Sequence, residues 1–189
     1  MSKIRAFIAI DVPDEVRKSL DDAIRILGRE LTHGGVRWVK SSNIHLTLRF
    51  LGNVSQEKLP ALYDGLDDVA AGSAPFSLDL DVLGCFPNPR RPRIVWVGLV
   101  GNNHRLSSLH RAIERMLVPS GWEEEGRKYH PHLTLGRVKD SNKVVEARLP
   151  WGDLLVKGRI EAKAIHLIES QLLSTGAVYS IRHSGYLTG

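Results

Sequence analysis

The spacing of apolar residues along the chain predicts a mixture of helices and strands. Between Val16 and Leu31, apolar residues recur at steps of three or four, which is the period of one buried helix face. The same period predicts helices over residues 59–69 and 106–117. Continuous or alternating apolar residues predict strands over residues 6–10, 38–39, 44–51, 76–83, 94–100, 160–173 and 178–187, with another beginning near Pro131.

The predicted elements occur twice in the same order. Ala6 and Ile94, which open the first strand of each half, are 88 residues apart, and His45 and His132 are 87 residues apart. Matching offsets predict two lobes built on one plan, approximately residues 1–88 and 93–189, within a single domain. A stretch rich in proline and arginine connects them. The two extended segments at the C-terminal end would complete or bridge the sheets of the lobes.

Composition and charge narrow the functional classes. With 189 residues, 42% of them hydrophobic and 25% charged, the chain has the composition of a globular domain. The longest apolar run covers residues 94–100, whereas a membrane span needs about 20 residues. Because Cys85 is the only cysteine and the first residues do not form a secretory leader, we expect a cytoplasmic protein. The net charge of +5 favours a polyanionic partner.

One tetrapeptide is present twice, as His45-Leu46-Thr47-Leu48 and as His132-Leu133-Thr134-Leu135. Successive side chains of a strand point to opposite faces. Each copy therefore presents an imidazole and a hydroxyl on one face and buries two leucines on the other. If an approximate two-fold axis relates the lobes, the two polar faces meet across a shared cleft.

Two opposed histidines suit displacement at phosphorus. One imidazole takes a proton from the attacking oxygen and the other gives a proton to the leaving oxygen, because the ordinary histidine pKa of about 6.5 makes both forms accessible near neutral pH. The hydroxyls of Thr47 and Thr134 can donate hydrogen bonds to the non-bridging phosphate oxygens. This chemistry needs neither a metal nor a cofactor. A zinc site using His130 and His132 is a weaker alternative, since no Cys, Asp or Glu stands at ligand spacing around either motif.

The residues around both motifs resemble a known family, the 2H phosphoesterases, and within it the bacterial and archaeal RNA 2′,3′-cyclic phosphodiesterases once called 2′-5′ RNA ligases. The resemblance extends over nearly the whole chain and includes residues 5–10, 38–40, 43–52, 91–98, 131–137, 167–170 and 176–179. It implies an α+β fold with two pseudo-symmetric lobes, whose antiparallel sheets form a central cleft with the helices outside. It also implies hydrolysis of a terminal 2′,3′-cyclic phosphate of RNA to a 2′-phosphate, and a related reverse reaction that forms 2′-5′ linkages.

The same resemblance implies roles for individual residues. His45 corresponds to the proton donor and His132 to the proton acceptor, and Arg137 matches an arginine often present in the family that would bind the substrate phosphate. Strict alternation along the strand places Arg137 on the leucine face, away from His132. It would reach the histidine face only if Gly136 allows a bulge or the strand ends there.

Alternation along the strand also predicts on which face two residues after the first motif lie. Arg49 is expected on the face of His45, and Phe50 is expected in the core with Leu46 and Leu48. Other cations that could line an RNA track are Arg37, Lys40, Arg90, Arg91, Arg93, Arg127 and Lys128.

The leading hypothesis is thus a metal-independent cyclic phosphodiesterase that acts on RNA ends, and we expect it to be a monomer. A second hypothesis keeps the site but changes the substrate to a small nucleotide, such as a cyclic phosphate of ADP-ribose. A third is an RNA-end-binding module without catalytic activity. The presence of both histidines and both threonines argues against the third hypothesis.

Overall fold

The computed structural model describes residues 2–31, 34–174 and 176–189. The α-helices of this described part are α1 (Asp14–Glu30), α2 (Leu59–Ala71), α3 (Asn103–Leu117) and α4 (Ser141–Glu146). Its strands are β1 (Lys3–Ile10), β2 (Val36–Trp38), β3 (Leu46–Ser55), β4 (Phe76–Phe86), β5 (Ile94–Gly101), β6 (His132–Val138), β7 (Arg159–Ala162), β8 (Ala164–Leu173) and β9 (Gly176–Tyr186).

The strands form one curled antiparallel sheet. Its order is β7-β4-β5-β6-β3-β1-β8-β9, and β2 adds to β6 outside this path. At the centre, β3 and β6 share a single register pair, Leu46 with Leu133. The sheet therefore consists of two four-stranded halves, β3-β1-β8-β9 and β6-β5-β4-β7, that meet at this pair. The structure confirms the α+β class and the antiparallel halves that the resemblance implies.

Each half of the sheet combines strands from distant parts of the chain. β4 pairs with β5, and β8 pairs with β1. The halves thus do not coincide with residues 1–88 and 93–189, because β4 crosses into the second half and β8 with β9 returns to the first. The physical reason is that β4 and β5 follow one another closely enough to pair as a hairpin.

The helices cover one face of the sheet. The predicted apolar faces of α1, α2 and α3 are buried, including Leu20, Leu66 and Leu106. They join a continuous core with the leucines of β3 and β6. The opposite face of the sheet carries a small, separate apolar cluster around Phe7 and Ala9.

Two elements differ from the sequence prediction. The segment 160–173 is two strands rather than one: β7 pairs with β4 and β8 pairs with β1, so the chain changes partners at Lys163. Helix α4 has no predicted counterpart, because six residues are too few to show an apolar period. Asp140 caps the N-terminus of this helix, and its carboxylate accepts hydrogen bonds from backbone amides of the first helical turn. No helix in the described part of the chain is long and apolar enough to cross a membrane.

Candidate active site

The two tetrapeptides lie side by side at the centre of the sheet. Leu46 and Leu133, the second residue of each, are antiparallel register partners. Continuing this register by one residue in each direction places His45 beside Thr134 and Thr47 beside His132. Diagonal neighbours in such a pair are typically about 7–8 Å apart. The two histidines are diagonal neighbours, so a phosphate group fits between them.

Each motif histidine is held by the carbonyl two residues before it. His45 Nδ1 lies 2.9 Å from the Asn43 carbonyl oxygen, and His132 Nδ1 lies 2.7 Å from that of His130. A carbonyl oxygen only accepts, so Nδ1–H is the donor in both contacts. In the neutral ring Nε2 is then unprotonated, and in the charged ring it carries a proton. Nε2 is therefore the atom of each ring that can exchange a proton with a substrate.

Aromatic rings surround His45. Phe7 stacks on the imidazole with ring centroids 4.4 Å apart, and the Tyr179 ring meets it edge-on at 5.3 Å. This burial lowers the pKa of His45 to about 4, against the opposing effect of its hydrogen bond to the Asn43 carbonyl. The ligand-free protein thus holds His45 neutral at pH 7.

His132 has a comparable but separate aromatic environment. The Phe86 ring lies edge-on to it at 5.0 Å, and the Trp96 ring is 6.2 Å away. Burial lowers the pKa of His132 as well, with the hydrogen bond to the His130 carbonyl opposing it. In the absence of a bound anion, burial therefore favours the neutral form of both motif histidines.

A cavity of about 640 Å³ opens beside the first motif. Four of the five predicted site residues line it: His45, Thr47, Thr134 and Arg137. His132 is outside this lining and lies next to it, beside Thr47. Further cations of the lining are Arg5, Arg37 and Lys40, so two of the residues expected along an RNA track are present. The cavity wall contains no aspartate or glutamate among the described residues, and its charge therefore suits an anion.

A bulge in β6 brings Arg137 to the cavity. The register between β5 and β6 shifts between Val95 and Trp96, which leaves Leu135 as the extra residue. Alternation restarts after it, and Arg137 moves from the leucine face to the face of Thr134. Gly136, which follows the bulge, lets β2 pack closely against β6, because a Cβ atom there would lie 2.5 Å from Val36 Cγ1 and 2.9 Å from the Trp38 ring. Arg137 was expected to reach the histidine face only through a bulge or at the end of the strand, and the structure shows the bulge.

The same irregularity occurs in β3 and overturns two predictions. The β1–β3 register shifts between Ile8 and Ala9, which leaves Leu48 as the extra residue. Phe50, expected in the core, is 62% exposed and lines the cavity. Arg49, expected beside His45, instead contacts helix α3 through an ion pair of 3.1 Å with Glu114. Alternation failed in both cases because a bulge reverses the faces beyond it.

A partly buried tyrosine, Tyr129, connects the loop before the second motif to the first motif. Tyr129 Oη donates a hydrogen bond of 3.0 Å to the Thr47 carbonyl oxygen, and the His110 ring stacks on the tyrosine ring at 4.1 Å. Burial raises the pKa of Tyr129, which therefore remains a donor at neutral pH. This contact fixes the backbone of β3 where the two motifs meet. The sequence offered no signal for it beyond an aromatic residue shortly before His132.

The remaining candidates are spread around the site. A smaller cavity of about 450 Å³ is lined by Arg91 and Arg93 together with Phe86, whose ring packs on His132. Arg90, Arg127 and Lys128 are exposed and line neither cavity. His130 and His132 are both near the Phe86 ring. Over residues 2–31, 34–174 and 176–189, no three His, Cys, Asp or Glu side chains are grouped as metal ligands would be.

Comparison with known proteins assigns the chain to a family. The model of the LigT-like phosphoesterases matches twice, over residues 10–96 and 97–179, and each match contains one tetrapeptide. A curated protein of Methanocaldococcus jannaschii, named RNA 2′,3′-cyclic phosphodiesterase, is 33% identical over 94% of this chain and 98% of its own length.

Solved structures agree with this assignment. A crystal structure of a Thermus thermophilus protein superposes with a TM-score of 0.83 at 27% identity, covering 98% of this chain and 99% of that one. Escherichia coli LigT in complex with 3′-AMP superposes over the full length of both chains with a TM-score of 0.80 and 27% identity. With two family matches, two paired histidine motifs and the same curled sheet, the chain belongs to the LigT-like phosphoesterase family.

Proposed function

We propose that this protein hydrolyses the 2′,3′-cyclic phosphate at the end of an RNA strand to a 2′-phosphate. The observation that carries the proposal is the antiparallel register of Leu46 with Leu133, which implies that each motif histidine stands beside the threonine of the other motif. Similarity to curated proteins named RNA 2′,3′-cyclic phosphodiesterase supports the same substrate.

In the proposed reaction, His132 acts as the base and His45 as the acid. Water attacks phosphorus while its proton passes to His132 Nε2. The bond from phosphorus to the 3′ oxygen breaks, and that oxygen receives the proton of His45 Nε2. Thr47 and Thr134 donate hydrogen bonds to the non-bridging oxygens, where negative charge increases in the transition state. In-line displacement requires water and leaving group on opposite sides of phosphorus, which diagonal histidines provide.

The acid role of His45 depends on the substrate itself. Burial keeps its ring neutral in the ligand-free protein. A phosphate anion bound next to the ring favours the charged imidazolium and raises its pKa. Arg137 lines the same cavity and holds the substrate phosphates there. With the 5′-hydroxyl of a second strand in place of water, the same pair of histidines would join the cyclic end to that strand through a 2′-5′ linkage, and the 3′ oxygen would again be the leaving group; this is the ligation that the family resemblance implies.

We further propose that the active unit is a cytoplasmic monomer. Both motifs, their threonines and their aromatic neighbours come from one chain, so the site is complete without a second copy. Cys85, the sole cysteine, is buried and forms no disulfide.

The test compares three substrates under identical conditions. An oligoribonucleotide with a 2′,3′-cyclic end, a cyclic phosphate of ADP-ribose and a nucleoside 2′,3′-cyclic phosphate are each incubated with the protein. We expect the highest kcat/KM for the oligoribonucleotide. Preference for the ADP-ribose derivative would replace RNA by a small nucleotide as the substrate. Binding of the oligoribonucleotide without turnover of any of the three would indicate an inactive RNA-end-binding module.

A further inference from the structure

The small cavity of about 450 Å³ adjoins the second motif histidine. Phe86 lines this cavity, and its ring meets the His132 ring edge-on at 5.0 Å. Its lining residues belong to β4, to β5 or to the connection between them: Phe86, Pro87, Asn88, Arg91, Arg93 and Ile94. β5 pairs with β6, the strand that begins at His132. The small cavity therefore lies on the side of His132, whereas His45 lines the large cavity.

The direction of the proposed displacement gives this position a chemical meaning. The nucleophile attacks phosphorus on the side of His132, which accepts its proton. The ribose with the cyclic phosphate also carries the leaving 3′ oxygen, so the first RNA strand lies on the side of His45, along the large cavity. A nucleophile larger than water must then extend from phosphorus past His132. The Phe86 ring and the small cavity lie next to that histidine.

The lining of the small cavity suits a nucleotide. Arg91 and Arg93 are exposed, and in the described part of the chain neither guanidinium forms an ion pair with a carboxylate, whereas that of Arg49 does. Guanidinium groups bind phosphate oxygens through paired hydrogen bonds. The Phe86 ring offers a surface on which a base can stack. An aromatic ring followed by two arginines thus matches a base followed by a phosphate.

We propose that the small cavity binds the 5′-terminal nucleotide of a second RNA strand, whose 5′-hydroxyl replaces water as the nucleophile. This inference rests on the proposed function, because it uses the same cyclic phosphate and the same two histidines. The base stacks on Phe86, and Arg91 and Arg93 bind the phosphodiester that follows the first nucleoside. Hydrolysis makes no use of the small cavity, because a water molecule needs no support beyond His132.

The transfer step balances without a further reactant. The 5′ oxygen of the second strand bonds to phosphorus while its proton passes to His132 Nε2. The bond between phosphorus and the 3′ oxygen breaks, and that oxygen takes the proton of His45 Nε2. The products are a 2′-5′ phosphodiester and a free 3′-hydroxyl, and proton exchange with water restores both histidines.

The experiment measures how one bound cyclic phosphate divides between water and an added alcohol. The protein is incubated with a 5′-phosphorylated oligoribonucleotide that has a 2′,3′-cyclic end. A dinucleotide with a 5′-hydroxyl and an internal phosphodiester, a nucleoside, or methanol is added at the same concentration. The readout is the ratio of transfer product to hydrolysis product, which does not depend on the affinity for the first strand because both products form from the same complex. We expect this ratio to be highest for the dinucleotide and lowest for methanol.

Variants of the two arginines test whether the small cavity is responsible. In the double variant Arg91→Gln/Arg93→Gln the transfer ratio for the dinucleotide should fall by about tenfold or more, the worth of one charge-assisted hydrogen bond. The ratio for methanol should stay at its wild-type value. Arg91→Lys/Arg93→Lys should keep part of the dinucleotide ratio, since lysine keeps the charge without the planar fork. The matched control is Arg90→Gln/Arg115→Gln, which removes two exposed arginines outside both cavities and should keep the wild-type ratio.

The possible failures are distinguishable. Hydrolysis by the wild-type protein with no more transfer to the dinucleotide than to methanol would overturn the inference. An unchanged transfer ratio in Arg91→Gln/Arg93→Gln, with or without slower hydrolysis, would also overturn it, as would an equal fall in the control variant, which would make the total charge responsible. Absence of hydrolysis by the wild-type protein would overturn the proposed function itself.

Discussion

Phe50 and Arg137 occupy equivalent positions, five residues after His45 and five residues after His132. Each is brought to the cavity by a bulge at the second leucine of its tetrapeptide, Leu48 in β3 and Leu135 in β6. The duplicated motif thus specifies more than the two histidines. One copy adds an aromatic ring to the site and the other adds a cation.

The exposed ring of Phe50 predicts a contribution to substrate binding. Stacking of a base on an aromatic side chain is worth about 1–3 kcal/mol, so Phe50→Ala should raise KM for a cyclic-ended oligoribonucleotide by roughly 5- to 150-fold. The value of kcat should change less, because the ring does not exchange protons. Ile26→Ala, which truncates an exposed apolar residue of α1 outside the cavity, is the control. An unchanged KM in Phe50→Ala would show that the ring does not contribute to substrate binding.

We expect Tyr129 to contribute both to the free energy of unfolding and to kcat. Tyr129→Phe removes the hydrogen bond to the Thr47 carbonyl, which should lower the free energy of unfolding by about 0.5–1.5 kcal/mol in urea titrations. The freed carbonyl belongs to the strand that carries His45 and Thr47, so kcat should fall as well. A variant with the expected loss of stability but wild-type kcat would show that the contact supports the fold alone.

The pKa shifts of the motif histidines predict an acidic optimum. Catalysis needs one protonated and one neutral histidine, and kcat/KM reports the ligand-free protein. Burial lowers the pKa of both rings, that of His45 to about 4. The protonated ring is therefore lost as the pH rises, and kcat/KM should peak below the ordinary histidine pKa of about 6.5.

Two comparisons test the cause of this shift. The pH profile of kcat should lie at higher pH than that of kcat/KM, because the bound phosphate anion raises the histidine pKa values. Phe7→Ala exposes the His45 ring to water and should move the kcat/KM profile to higher pH as well. A kcat/KM optimum above the ordinary histidine pKa in the wild-type protein would show that burial does not control the pair.

Metal removal gives a further expectation. Two imidazoles account for both proton transfers, so hydrolysis should continue at an unchanged rate after dialysis against a strong chelator. Loss of activity that zinc or manganese restores would favour the alternative in which His130 and His132 bind a metal ion.

The sequence predicted the site better than it predicted the bulges around it. Alternation placed Leu46 and Leu133 in the core and His45, Thr47 and Thr134 on the face that lines the cavity, as the structure has them, because the strands are regular there. It failed at Phe50 and Arg49, since one extra residue at Leu48 reverses the faces of the two residues that follow it. No local pattern encodes such a bulge.

The pairing of strands from distant parts of the chain could not be predicted from the sequence either. The repeat of about 87 residues indicated two similar halves, and the family model matches two consecutive segments of the chain. Nothing in the sequence showed that β4 would pair with β5 across the boundary, or that the chain would change sheet partners at Lys163. Tertiary packing, rather than the β-propensity of the residues, determines which strands pair.

The most direct test of the two-histidine mechanism is the rate and product of hydrolysis, followed by phosphorus NMR on an oligoribonucleotide with a 2′,3′-cyclic end. We expect the wild-type protein to form only the 2′-phosphate. His45→Ala and His132→Ala should each be slower by about 10²–10⁴, the usual contribution of one positioned acid or base, while His104→Ala, an exposed histidine of α3, should match the wild type. A near-normal rate in either motif variant, or a 3′-phosphate product, would contradict the roles assigned to His45 and His132.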